Sequence, residues 1–474
     1  MPWLEYEAEL GSTNAQVQGP SRELGTTPGE ASGRKAVVLS STGHYVQWTT
    51  TAPANAIVVR NSIPDAPGGG GIQATLSLYV NGSKLTTLTL SSKEAWVYGG
   101  DDQQFNTPSS GKPRRIYDEA SKLLSTTIPA GATVRLQKDS GDSAAYYAID
   151  FIDLELAAAP IAKPDGYVDV TQAGNGWEPA IPNDGQSDDN AISQAIMAAQ
   201  SGRFKGVYLP PGIFNQTNKY QVKGTTIQGA GVWHTRIFNA ALNEDAGWGQ
   251  TGFIITGDNS TFRDFAIFGN TDGLRTQGGK AWVNSAYRNT VIENMWIEHV
   301  QCGYWVGGNS ESTNLRISNS RFRNTGADAV NLCNGNKDGV VENSHARNTG
   351  DDAFAIWSAT DLYPQPNINN VIRNCTAQIV WRAAGFAIYG GRGNRIENSI
   401  AYDTLTYPGL TVSSEFNPFP LESATVDGLT LVRSGGTYWG GQQFGSIWLR
   451  ADQNPTNGIT IRNVDIIDPT YQGI

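Results

Sequence analysis

Short apolar clusters that end in Asn or Asp recur through the second half of the chain. They read TFRD at 261–264, VIEN at 291–294, RISN at 316–319 and VVEN at 340–343, and they continue at 371–374, 395–398 and 460–463. A loose period of about 22–30 residues, each unit holding short strands and Asn/Gly turns, is typical of a parallel β-helix. A leucine-rich repeat needs a Leu consensus and a propeller needs a longer period. The recurring Asn is expected to be a stacked turn residue in the left-handed region.

The first 156 residues have a different pattern. Segments such as KAVVLS, HYVQWTT, ATLSLYVNG and YAIDFIDLEL are short, apolar and separated by turn residues. Strands at this spacing, with little helical periodicity, predict an antiparallel β-sandwich of the jelly-roll type. We therefore expect an all-β protein with a β-sandwich at 1–156, a Pro/Ala-rich linker at 157–164 and a parallel β-helix at 165–474.

One helix is expected at the start of the second region. Apolar residues have helical spacing over 190–200, Ser187 can serve as N-cap, and Asp188 and Asp189 suit the first turn. Such a helix would cap the open N-terminal end of the β-helix. The repeat pattern continues to residue 474, so we expect either a covering loop or further chain at the other end, because open strand edges tend to pair.

Composition narrows the class of protein. Only 16% of the 474 residues are charged, Gly is abundant at 54, and the formal net charge is −10. The net charge argues against nucleic acid and anionic membranes as partners, and no run of about 18 apolar residues exists. The N-terminus lacks a signal peptide, so we expect the mature or recombinant form of a secreted, monomeric protein. The chain has three cysteines, Cys302, Cys333 and Cys375. We expect them to be buried and to pack as small apolar residues.

Two segments, RNTGADAVNL at 323–332 and RNTGDDAFAI at 347–356, are nearly identical. Asp328 and Asp352 each lie nine residues after a repeat Asn, so they should occupy one column on adjacent coils, about 4.8 Å apart. Asp351 adjoins Asp352 after a Gly that suggests a bend, and no Lys or Arg lies between 324 and 336. Three carboxylates on one outer face repel, so at least one should keep its proton. Glycosidic hydrolysis requires such an acid beside ionised carboxylates; the alternative is a set of turn residues that bind Ca²⁺.

These residues carry a family resemblance. DGQSDDNAISQAI followed by GVYLPPG resembles the start of pectinase-type right-handed β-helices, and NTGADAVNLCNG with NTGDDAFAIW resembles the catalytic region of glycoside hydrolase family 87. That resemblance implies an inverting endo-α-1,3-glucanase with no catalytic cofactor. It implies Asp351 as general acid and Asp328 and Asp352 as the residues that activate water. The charges of its two acidic neighbours also predict a raised pKa at Asp351. Spacing alone does not give inversion, because carboxylates about 5 Å apart are typical of retaining enzymes.

The residues around the trio favour a neutral polysaccharide. The chain has no Gly-His-Gly or Arg-Ile-Lys segment of the kind that binds uronates in polygalacturonases, and Arg382 and Arg392 are the nearest cations of the later coils. His299 and His345 are expected to be turn or surface residues. Aromatic side chains expected to line the substrate cleft are Trp305, Trp357, Trp381 and Tyr389.

The first region is similar to carbohydrate-binding modules of families 6 and 35, through EYEAEL at 5–10, GHYVQWT at 43–49, LSLYVNG at 76–82 and AIDFIDLEL at 148–156. The resemblance implies a structural Ca²⁺ held by Glu7, Glu9 and Asp150, whose oxygen ligands suit this ion. The module either binds sugar or braces the β-helix.

Other functions remain open from the sequence alone. Within hydrolases, these are a polygalacturonase-like enzyme and one that cleaves mixed-linkage α-glucan such as nigeran. From other classes, these are a polysaccharide lyase and a non-catalytic β-helix adhesin. The three Asp residues argue for a hydrolase and against the adhesin.

Overall fold

The computed structural model describes residues 1–98, 116–242, 249–271, 273, 275, 278–306, 310–333, 335–437 and 441–474. The chain divides into two compact units, the first running from Met1 to Ala159 and the second comprising most of the chain from Pro160. This division falls inside the segment predicted to be a linker.

The first unit is an antiparallel β-sandwich, as predicted. One sheet has the order β3-β4-β11-β6-β9 with β1 also paired to β11, and the other has the order β2-β5-β10-β7-β8. Inward side chains of both sheets, such as Val37, Leu76 and Ile149, form one buried core. Two 3₁₀ turns cover Ala8–Leu10 and Ser32–Arg34. The strands are β1 (Trp3–Glu7), β2 (Ser12–Thr13), β3 (Gln16–Gln18), β4 (Ala36–Leu39), β5 (Tyr45–Thr49), β6 (Ala54–Ser62), β7 (Gln73–Val80), β8 (Ser83–Ser91), β9 (Asp118–Ile128), β10 (Thr133–Gln137) and β11 (Tyr147–Glu155).

The second unit is a parallel β-helix, which confirms the main prediction. Its strands include a 16-stranded sheet and a 9-stranded sheet of order β15-β18-β20-β22-β25-β28-β31-β33-β37. The first strands, up to β22, are β12 (Tyr167–Asp169), β13 (Gly206–Leu209), β14 (Gly212–Asn215), β15 (Tyr220–Val222), β16 (Thr226–Gly229), β17 (Thr235–Phe238), β18 (Phe253–Ile255), β19 (Thr261–Phe268), β20 (Lys280–Asn284), β21 (Val291–Glu298) and β22 (Cys302–Trp305). The remaining strands are β23 (Arg316–Ser318), β24 (Arg321–Arg323), β25 (Val330–Leu332), β26 (Val340–Glu342), β27 (His345–Arg347), β28 (Phe354–Trp357), β29 (Val371–Arg373), β30 (Thr376–Gln378), β31 (Phe386–Tyr389), β32 (Asn394–Tyr402), β33 (Leu410–Ser413), β34 (Ala424–Val432), β35 (Gly436–Thr437), β36 (Gln443–Phe444), β37 (Ile447–Arg450) and β38 (Ile459–Ile467).

Stacked turn residues bend each coil, as the Asn pattern predicted. Asn294, Asn319 and Asn343 occupy one corner with φ between 48° and 52°, and Asp264 occupies the same corner one coil earlier. Asn294 Nδ2 donates to Asp264 Oδ1 at 2.7 Å, so the corner side chains also bond along the stack. A small polar residue tolerates this backbone and satisfies its neighbours.

The single helix, α1 (Asp189–Gln200), packs its buried face of Ala191, Ile192 and Ile196 against the core at the first coils. The predicted cap is wrong by one residue, because Asp188 occupies the N-cap position. Its carboxylate accepts instead from the backbone of Ile181 and Asn215, at 3.0 and 2.8 Å. Among the described residues, no helix is long and apolar enough to cross a membrane.

Side chains stacked in register form the core of the β-helix. Along the 9-stranded sheet, one inward column reads Phe253, Trp282, Tyr304, Val330, Phe354, Phe386, Leu410 and Ile447. All three cysteines are free and buried, as expected.

At the far end, β38 pairs with β34 on one side, and no second partner strand lies among the described residues. The predicted covering of this end stays a prediction.

We predict that Phe354→Ala destabilises the β-helix by about 3–5 kcal/mol, because it leaves a cavity in a stacked column. The Phe354 and Phe386 rings are stacked with centroids 5.5 Å apart. Denaturant unfolding would measure the loss, with Leu449→Ala as control because Leu449 is 45% exposed on the same sheet. Equal effects of the two substitutions would contradict this account of the core.

Candidate active site

Asp328 and Asp352 lie in one column on adjacent coils, just before β25 and β28. The amide of Gly303 donates to the carbonyl of Asp328 at 3.1 Å, and the amide of Ala329 donates to that of Asp352 at 3.2 Å. Asp351 joins them, and one oxygen from each of the three carboxylates lies within 4.8 Å of the others. The repeat therefore located the cluster correctly.

The repeated RNTG motif builds the turn that carries these residues. Asn324 and Asn348 have φ of 50° and 60°, and Asn348 Nδ2 donates to Asn324 Oδ1 at 2.7 Å. A Cβ at Gly350 would collide with the carbonyl of Gly326 in the coil below and with the ring of Trp381. Glycine is therefore required where the two turns stack.

Asp328 and Asp352 are buried, with exposures of 7% and 4%. Asp328 Oδ1 accepts from Asn331 Nδ2 at 3.2 Å, and Asp352 accepts from the amide of Ala384 at 2.8 Å and from the Tyr389 hydroxyl. Burial first, and then the charge of Asp351, raise the pKa of Asp328 well above its usual range and that of Asp352 to about 7. At neutral pH this buried pair therefore holds a proton.

Asp351 has a different environment from the one expected. Its side chain is 30% exposed, and Oδ2 accepts from Arg275 Nη2 at 2.8 Å and from Arg382 Nη1 at 2.6 Å. We expected the raised pKa at Asp351 from its two acidic neighbours; the structure also places two guanidinium groups against its carboxylate. Arg275 was not singled out from the sequence, and Arg382 was named only as a cation of the later coils, because the contacts of both with Asp351 join different coils.

Two of the four aromatic residues predicted to line the cleft are buried. Trp381 is only 2% exposed and its ring lies against the turn at Gly350. Tyr389 is 6% exposed and binds Asp352 through its hydroxyl. Trp305 and Trp357 are partly exposed, and the Trp357 indole donates to the carbonyl of Phe416 at 3.0 Å.

Trp448 is an aromatic residue that sequence reasoning missed. It shares an outward row of the sheet with Trp305, through the register Trp305, Asn331, Ala355, Ala387, Thr411 and Trp448. Trp448 is partly exposed. Its coil falls in the irregular interval of the repeat before the last motif, which hid the alignment.

Of the predictions for the two histidines His299 and His345, one is confirmed and the other is wrong. His299 has φ of 53° and shares its corner with Asn324 and Asn348, which confirms it as a turn residue. His345 lies on β27 and is only 4% exposed, so its expected surface position is wrong. Burial, and then Arg323, hold its pKa well below the usual range.

In the first unit, Glu7, Glu9 and Asp150 lie close enough to influence one another electrostatically. Glu7 Oε1 accepts from Ser32 Oγ at 2.6 Å, while Oε2 is buried with no hydrogen-bond partner among the described residues. Burial, and then the charge of Asp150, raise the pKa of Glu7 to about 10. An unpartnered buried oxygen in an acidic cluster fits a cation site. Asp150, however, already accepts from the amide of Ser32 and pairs with Arg60, so it has less to offer an ion.

Comparisons with known proteins agree with this architecture. Two family models match the chain, α-1,3-glucanase catalytic domain D1 over residues 1–157 and catalytic domain D2 over residues 185–474. The crystal structure of the Agl-KA catalytic domain is 31% identical, with a TM-score of 0.91, and the match covers 98% of this chain and 83% of that one. No curated protein sequence matches the chain significantly.

Two further structures are α-1,3-glucanase catalytic domains of glycoside hydrolase family 87 with bound sugars. An Asp-to-Ala variant in complex with tetrasaccharides is 34% identical, covering 99% of this chain and 84% of that one, with a TM-score of 0.87. A complex with nigerose is 33% identical, covering 98% and 83%, with a TM-score of 0.85. Solved variants with this description replace Asp by Ala at three positions, separated by 23 residues and by one residue.

Proposed function

Because the chain belongs to the α-1,3-glucanases of glycoside hydrolase family 87, we propose that it cleaves α-1,3-glucan internally, with inversion, using Asp328, Asp351 and Asp352. The observation that carries the proposal is the convergence of these three carboxylates, with oxygens within 4.8 Å of one another. The enzyme class and the hydrolysis of α-1,3-glucan follow from the family match. The bond position, the stereochemistry and the catalytic residues are the proposal.

The spacing of the three residues supports their assignment. Asp328 and Asp351 are 23 residues apart, and Asp352 follows directly. The Asp-to-Ala variants of the family 87 catalytic domains that were solved with sugars show the same intervals.

The roles follow from exposure. Asp351 is the most exposed of the three carboxylates and is best placed to reach a glycosidic oxygen. Asp328 and Asp352 form the buried pair that orients a water molecule. The water attacks the anomeric carbon and loses a proton to this pair, while Asp351 gives its proton to the departing oxygen as the C–O bond breaks. Attack from the face opposite the leaving group inverts the anomeric centre.

A neutral glucan fits the site better than a uronate. The cations nearest the cluster among the described residues, Arg275 and Arg382, both pair with the Asp351 carboxylate, so neither stands ready as a partner for a uronate. Trp305 and Trp357 present partly exposed rings suited to the apolar faces of sugar rings.

We also propose that the enzyme is secreted, since polymeric glucan is degraded outside cells, and that it is monomeric.

For the first unit we propose a structural Ca²⁺ bound by Glu7 and Glu9, with Asp150 as a neighbour that already pairs with Arg60. The ion would supply positive charge beside the unpartnered Glu7 Oε2, and it takes no part in the reaction.

The substrate assignment predicts that α-1,3-glucan releases reducing ends faster than nigeran, α-1,4-glucan or polygalacturonate. Products should include internal fragments, should be β-anomers when first released, and should show no ultraviolet absorbance of an unsaturated sugar. Reducing-end assays and proton NMR of early products measure these results. Initial α-anomers would exclude inversion, and faster release from polygalacturonate would exclude the neutral substrate.

The catalytic assignment predicts that Asn at position 328, 351 or 352 lowers kcat by about 10²–10⁴-fold, since each substitution removes an acid or base term. Circular dichroism should show an unchanged fold. Asp351→Asn should lose least on an aryl glucoside with an activated leaving group, which needs little protonation, provided the enzyme accepts it. Near-normal activity of Asp351→Asn on glucan would refute its role.

The Ca²⁺ proposal predicts that chelation lowers the Tm of the first unit and leaves cleavage at low temperature largely intact. Since the folded pKa of Glu7, about 10, exceeds its unfolded value of about 4.3, the metal-free unit loses stability as pH rises between them. Glu7→Gln should therefore be more stable than the wild type in chelator at pH about 8 and should gain nothing from Ca²⁺. Calorimetry measures both effects; an equal Ca²⁺ gain in the variant would disprove the site.

A further inference from the structure

Every acceptor oxygen of Asp351 is occupied in the substrate-free enzyme. Oδ2 takes one hydrogen bond from Arg275 and one from Arg382, at 2.8 and 2.6 Å. Oδ1 accepts from the amide of Asp352 at 3.2 Å. A carboxyl group held by two guanidinium groups cannot carry a proton on the bonded oxygen, yet the proposed reaction needs a protonated Asp351.

Arg275 itself lies close to the turn that carries Asp351. A Cβ at Gly326 would collide with the carbonyl oxygen of Arg275, so only glycine allows this approach. Arg275 Nη2 also donates to the carbonyl of Gly350 at 3.2 Å. Its Nε–H, however, is buried and has no acceptor among the described residues. The side chain thus keeps one donor available for another partner.

We propose that Arg275 and Arg382 are positioning residues that hold the Asp351 carboxylate in the free enzyme and exchange it for glucan hydroxyl groups when substrate binds. The inference rests on the proposed role of Asp351 as proton donor. Released from the guanidinium groups, Asp351 takes the proton that the Asp328–Asp352 pair holds, and the pair becomes the ionised base. The step moves one proton between carboxyl groups and needs no other reactant.

This exchange couples protonation to binding. A sugar hydroxyl can accept a hydrogen bond from Arg without bringing a new negative charge into the site. When each Arg turns to a sugar hydroxyl, the Asp351 carboxylate faces only its acidic neighbours. The acid therefore forms only when a glucan chain occupies the site.

The groups around Asp351 set the expected pH response. Asp328 and Asp352 face it from the column, Arg275 and Arg382 from other coils, and Tyr389 adjoins Asp352. Cys302 and Cys333 both interact electrostatically with Asp328 and Lys280, and Cys302 also interacts with Asp351. Arg275 lowers the pKa of Asp328 and Arg382 lowers that of Asp352, so loss of either cation should raise the proton affinity of the cluster.

The test compares Arg275→Gln and Arg382→Gln with their Lys counterparts on α-1,3-glucan. In each Gln variant, we expect the alkaline limb of kcat/KM to move up by about one pH unit and KM to rise roughly 10-fold. Lys should restore the alkaline limb, because it keeps the charge, and should leave KM raised, because it lacks the planar fork of donors.

Arg373→Gln is the matched control, since it removes another Arg–carboxylate pair, the one between Arg373 and Glu342 on the 16-stranded sheet. It should change neither quantity. The proposed exchange of Asp351 for glucan hydroxyls would be overturned if the folded Gln variants kept the wild-type alkaline limb of kcat/KM. It would also be overturned if they kept the wild-type KM. If a Gln variant does not fold, the Lys variant decides: a wild-type KM would overturn the proposal. A wild type that does not cleave α-1,3-glucan at all would instead refute the proposed function.

Discussion

The spacing of hydrogen-bonded coils governs this molecule. Each coil bonds to the next through parallel strands, and corner residues such as Asn319 and Asn343 bond or stack along the same direction. The separation of neighbouring strands, about 4.8 Å, is therefore imposed on every side chain that repeats from coil to coil. Asp328 and Asp352 inherit this distance from the backbone. Their mutual repulsion is then opposed by the whole hydrogen-bonded stack.

Once the backbone has placed Asp328, Asp351 and Asp352 together, their different burial gives each carboxyl group a different environment. Two carboxyl groups of the cluster are shielded from water and share a proton, while the third reaches solvent and meets cations. Identical side chains thus lie in different surroundings, and burial raises the pKa of the two shielded ones. Tyr389 and the amide of Ala384 supply the hydrogen bonds that keep Asp352 in place.

The sequence predicted the parts of the site that depend on the repeat and missed those that depend on contacts between distant coils. Counting from the repeated Asn placed Asp328 and Asp352 in one column, and the Gly before Asp351 indicated the bend. Nothing in the spacing of Arg275 or Arg382 reveals that both approach Asp351, because their approach depends on segments outside the regular strands. The burial of Trp381 was not predicted, because a turn aromatic can face inward or outward, and the packing at Gly350 decides between them.

The near identity of residues 323–332 and 347–356 has an evolutionary consequence. Because the two segments lie on successive coils, duplication of one coil would place a second carboxylate in register with the first in a single genetic event. The two copies differ at the position before the shared Asp, where Ala327 stands in one and Asp351 in the other. A single replacement there would complete the trio, so this arrangement lies few mutational steps away from any parallel β-helix that carries one outward Asp.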